Sequence, residues 1–236
     1  MALGMEDGTA MDAGNGMQMA GAVVAEVTTI KPWSSIDWTL MFMMWAVMMV
    51  GMMVPTAAPA TLVYAAVARK AERQGTPVAP AALFVLGYVV MWTLFSALAT
   101  VLQWGLDQAA LLSPMMVTTS PALGGAILVA AGLYQLTPYK DACLQNCRSP
   151  VHFISEHWRP GGWGAFRLGL LNGAYCLGCC WILMGLLFFG GVMSLLWIAG
   201  ITFFVLAEKV TLYGVAGGRV AGMGLVALGM LTLAVG

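Results

Sequence analysis

Residues 41–55 read MFMMWAVMMVGMMVP. Seven of the first thirteen are methionine: Met41, Met43, Met44, Met48, Met49, Met52 and Met53. The uncharged run opens after Asp37 and continues to Ala68, just before Arg69, Lys70 and Arg73. A membrane span needs about 20 mostly apolar residues, so this stretch is expected to cross a bilayer. Pro55 and Pro59 fall inside it. Each removes a backbone donor and frees a carbonyl one turn earlier, so this first helix is expected to be broken at Pro55/Pro59. Broken helices at membrane depth are tolerated where they are buried or line a cavity, and they often mark binding sites.

Composition extends the reading to the whole chain. It has 236 residues, 61% of them hydrophobic and 8% charged, where soluble domains carry roughly 25% charged residues. The expected fold class is all-α, a polytopic membrane helix bundle of about six transmembrane helices. Beyond the span at 37–68, the expected spans are 80–104, 121–139, 164–190, 192–207 and 217–236. The segment 107–117, with Pro114 inside it, is expected to form an interfacial turn of helix. Residues 1–36 are read as a methionine-rich, disordered outer tail, and residues 37–236 as one transmembrane domain. An outer tail needs a signal or a preceding helix, and none is present, so the natural start is expected to lie upstream. The net charge of +0 gives no argument for nucleic acid; the expected partner is the lipid bilayer.

Charge placement gives an orientation. Arg69, Lys70, Arg73, Lys140, Arg148, Arg159, Arg167, Lys209 and Arg219 fall on one side of a six-span arrangement, and Lys31 on the other. The positive-inside rule makes the crowded side cytoplasmic and puts both termini outside. Trp33, Trp38 and Trp104 suit the outer interface, Trp158 and Trp163 the inner one.

Sulfur carries the chemical signal. Met44, Met48 and Met52 stack one turn apart on a helix, and thioethers are soft ligands that favour Cu(I); flexible filling of a helix interface is the competing reading. In the fourth span Asn172, Cys176, Cys180 and Met184 fall four residues apart, with Cys179 three after Cys176. One face would then show an amide, three thiols and a thioether near mid-bilayer. Gly169 and Gly173 would let a neighbouring helix approach closely.

A second pair, Cys143 and Cys147, lies in the cytoplasmic stretch 139–148; both thiols share a face if Pro138 starts a short helix. Lys140 and Arg148 beside them are expected to lower their pKa, and the pair would meet the ion at the cytoplasmic side. His152 and His157 are read as solvated loop residues. Glu208 and Lys209 are read as an interfacial pair with a snorkelling lysine, and Gly218 with Gly222 as a packing pair. The candidate metal ligands are Cys143, Cys147, Cys176, Cys179, Cys180, Met44, Met48, Met52 and Met184. No nucleotide loop, HExxH, GxSxG or EF-hand motif is present.

Met44-Trp45-Ala-Val-Met48-Met49 with Met52-Met53-Val-Pro55, the cysteine blocks 136–150 and 173–184, and the Glu208-Lys209 pair together resemble a bacterial family. It is described as predicted metal-binding integral membrane proteins, a numbered domain of unknown function. The resemblance covers about residues 37–209 and implies a multi-span inner-membrane protein that binds metal. The expected function is binding of a soft metal ion, most readily Cu(I), for uptake, trafficking or retention, with a metal donor or membrane enzyme as partner and no catalytic residues assigned. Two other readings stay open. One is a thiol–disulfide electron carrier built on Cys176 and Cys179; the other is a structural or assembly subunit of a membrane copper enzyme.

Overall fold

A computed structural model describes residues 33–235, apart from 76–77, 114–115 and 212. The tail expected to be disordered therefore lies outside the described residues, apart from 33–36. The chain is all-helical in its named elements: α1 (Ser35–Arg73), α2 (Ala81–Gln108), α3 (Pro121–Gln135), α4 (Pro138–Arg148), α5 (Pro150–His157), α6 (Gly161–Gly185), α7 (Leu187–Gly190), α8 (Leu195–Val210) and α9 (Gly214–Val235). Among the described residues, four stretches are long and apolar enough to cross a membrane: α1, α2, α6 with α7, and α9. The third and fifth expected spans, α3 and α8, have 15 and 16 residues.

Local chemistry sets these boundaries. Ser34 and Asp37 form a reciprocal capping box at the start of α1, which satisfies two otherwise orphaned donors. Ser120 caps α3 ahead of Pro121, and Thr137 caps α4 ahead of Pro138. A proline is tolerated at the first helical position but disfavours helix in the residue before it. The third span therefore stops at Gln135 rather than reaching Tyr139, and Pro138 opens the short cysteine-bearing helix. Pro150 restarts the chain in α5 for the same reason.

Two expectations are corrected. The helix α1 runs unbroken through Pro55 and Pro59. Both rings, with Gly51 one turn ahead, lie on the exposed face, so they line no cavity and mark no break at a site. The segment after Asp107 is also not an interfacial helix: α2 ends at Gln108, and an isolated antiparallel bridge joins Leu112 to Thr118.

The helix α6 sits at the centre, packed against α2, α4, α3 and α8. Half of its apolar stretch is buried, against a third of that of α1. Close approach to α2 depends on small residues. A Cβ at Gly169 would lie 2.0 Å from the Phe84 carbonyl oxygen, and one at Gly87 would lie 2.2 Å from that of Phe166. Gly173 would meet the Cβ of Met91 at 2.8 Å. The expected role of Gly169 and Gly173 in close packing holds, and Gly222 does the same between α9 and α3.

At the end of the bundle where α1 begins, Trp38 packs against both Trp33 and Trp104, and Trp33 Nε1 donates to Asp107 at 2.9 Å. At the other end of α1, Tyr64 stacks on Phe84 and touches Trp158.

Candidate metal centre

The sulfur atoms enter the core from three helices. On α1 the buried face carries Trp45, Met49, Met52, Met53, Thr56, Ala57 and Ala60. Met44 and Met48 are partly buried and pack against the edge of the same core. The stripe expected to run through Met44, Met48 and Met52 is thus rotated, with Met52 inside and its two partners at the margin. On α6, Asn172, Cys176, Cys179, Cys180 and Met184 are all buried, as the four-residue spacing implies. Cys143 and Cys147, on α4, are partly buried and pack against the same core.

The helix α4 does not hold its cysteines at a distance from those of α6. It lies along α6, and a Cβ at Gly178 would stand 2.8 Å from the Cys143 sulfur. Only a residue without a side chain leaves room for that thiol. Cys147 packs against the same core as Cys176, Cys179 and Cys180. The pair expected to meet the ion at the cytoplasmic side thus packs against the core that holds the α6 cysteines. All five cysteines gather at one core.

As placed, Cys179 and Cys180 both donate to the Cys176 carbonyl oxygen, at 3.0 and 2.9 Å. Among the described residues, no three Cys, His, Asp or Glu side chains are arranged as the ligands of one ion. The five cysteines are free. Contact with Cys179, and then burial, pushes the Cys147 thiol well up, and burial does the same to Cys143. The lowered pKa expected from Lys140 and Arg148 is not found. Lys140 turns into the core, and Arg148 donates to the Thr211 carbonyl oxygen at 2.8 Å.

Three groups that the sequence reading did not assign surround Cys176. The Tyr88 hydroxyl lies 3.0 Å from its sulfur and donates to the Met53 carbonyl oxygen, also at 3.0 Å. Lys209 Nζ lies 2.8 Å from the sulfur and donates to Thr56 at 3.0 Å. Thr56 itself donates to Met53.

The pair Glu208 and Lys209 is not interfacial and does not snorkel: both residues are buried, at 4% and 8% exposure. Glu208 makes a buried ion pair with Lys140 and accepts from Gln135 at 3.3 Å. Adjacent positions on α8 thus point two charges at different partners. The sequence cue was there, two opposite charges ending an apolar span, but the direction each side chain takes depends on α4 and α1. His152 pairs with Glu156 on the exposed side of α5, and His157 contacts the Phe153 carbonyl.

A family model named PpoB2 and described as a copper chaperone matches residues 42–232. The chain belongs to that family. This supports the metal-related family expected from the motifs, though not a numbered domain of unknown function. Neither a curated protein nor a solved structure matches the chain.

Proposed function

We propose that this member of the copper chaperone family is an integral membrane protein that holds Cu(I) as cargo between α4 and α6. One observation carries the reading: Cys143 and Cys147, from a short helix outside the spans, pack against the buried core that holds Cys176, Cys179 and Cys180. Thiolates are soft ligands suited to Cu(I). Rotation of Cys179 and Cys180 about their Cα–Cβ bonds would free both from the Cys176 carbonyl and turn them toward a guest. Met52 and Met184, in the same core, offer thioethers, and Met44 and Met48 lie at its margin as a route inward. The softer grip of thioethers at the edge and the stronger one of thiolates inside favour delivery to, or retention in, the core.

In this reading α3 and α8 complete six crossings, the basic loops face the cytoplasm, and the membrane is the bacterial inner membrane. A membrane enzyme or a metal donor is the partner. The packing of the α4 cysteines against those of α6 would also suit a thiol–disulfide carrier.

Elemental analysis separates the two. Purified reduced protein is expected to retain copper, and the triple variant Cys176→Ser/Cys179→Ser/Cys180→Ser to lose nearly all of it. Equal copper in both would end the reading. Copper-free reduced protein that yields a Cys147–Cys179 disulfide on mild oxidation would favour the carrier.

A further inference from the structure

Among the described residues, the buried charged side chains are Lys140, Glu208 and Lys209. Lys140 and Glu208 cancel in their ion pair. Lys209 is left with one positive charge, and its hydrogen-bond partners are a hydroxyl and a sulfur: Thr56 at 3.0 Å and Cys176 at 2.8 Å. An ammonium buried without a compensating anion costs several kcal/mol, and inside a membrane an ionisable group marks function by default. The anion has to come from the sulfur side.

We propose that Lys209 is the counter-cation of the copper site and fixes the charge of what the site can hold. The ion and its ligands together must carry one negative charge. That is the charge of Cu(I) held by two thiolates, one of them Cys176. Three thiolates on Cu(I) would carry one negative charge too many, and a thiolate with a thioether one too few. The remaining thiols then serve as alternative second ligands through which the ion can be handed on. This inference rests on the copper reading above and adds the ligand count and the role of a residue that touches no metal.

The test is a double-mutant cycle on the full chain in detergent. Cu(I) affinity is read by competition with a chromophoric Cu(I) chelator under reducing conditions. Lys209→Met leaves an unmatched negative charge, and Cys176→Met leaves an unmatched positive one. Each is expected to weaken Cu(I) binding by about tenfold or more. The double variant Lys209→Met/Cys176→Met restores neutrality with a thioether in place of the thiolate, and it is expected to bind more tightly than either single variant. Lys209→Arg keeps the charge and is expected to stay within about threefold of the unaltered chain.

Losses that simply add in the double variant, or no loss in Lys209→Met, would overturn the proposal. A merely structural lysine would give that additive result. Should the methionine variants fail to fold, Lys209→Gln against Lys209→Arg decides the question: equal affinities overturn it. An unaltered chain that binds no Cu(I) at all would end the copper reading itself, whereas Cu(I) binding with an additive cycle would end only the role given to Lys209.

Discussion

Cys176 is the residue on which most of the site's polar contacts meet. Its sulfur accepts from Lys209 and lies 3.0 Å from the Tyr88 hydroxyl, and its carbonyl accepts from the thiols of Cys179 and Cys180. Tyr88 ties this position to α1 through the Met53 carbonyl. Replacing Tyr88 with Phe removes one hydroxyl that serves both and leaves the carbonyl of Met53 with Thr56. The expected cost is about 1 kcal/mol of stability, read as a lower midpoint of thermal unfolding, with copper stoichiometry unchanged. An unaltered midpoint would mean that this hydroxyl does not brace the site. The thiols themselves were legible from spacing, because a four-residue interval on one helix needs only helical geometry to share a face. Lys209 and Tyr88 were not. Their roles come from contacts 33 and 88 residues away in sequence, which no local pattern encodes.

Helices carry the next level of the account. The proline signal was read correctly at Pro138, which opens a helix, and wrongly where the rings point outward, as at Pro55 and Pro59. A sequence shows that a donor is missing; it does not show whether the ring faces the bundle. The glycines allow a cleaner contrast. Gly169→Ala would force a Cβ to 2.0 Å from the Phe84 carbonyl and drive α2 from α6, at a cost of about 3 kcal/mol or more. Gly51→Ala meets nothing within 4 Å and is expected to stabilise α1 by about 0.5–1 kcal/mol, because alanine loses less backbone freedom on folding. Thermal unfolding of the two variants in detergent checks the pair. Similar midpoints for both would contradict the packing described here.

Across the molecule, α6 serves as a post with α4 laid along it, so that a helix expected in a loop delivers its thiols to the core. The group of sulfur, ammonium and hydroxyl lies buried where α1, α2, α6 and α8 meet. The apolar character of the long helices was legible from composition alone. The return of α4 was not, because its own sequence, with Lys140, Asp141 and Arg148, reads as an aqueous loop; burial of Lys140 against Glu208 is what lets it pack inward.

The central claim is that cysteines of two helices hold one copper ion, and X-ray absorption at the copper edge of the Cu(I)-loaded chain tests it most directly. The account predicts a first shell of sulfur alone that is lost when Cys143, Cys147, Cys176, Cys179 and Cys180 are all replaced by Ser. A shell of nitrogen or oxygen, or the same sulfur shell with all five cysteines replaced, would contradict it.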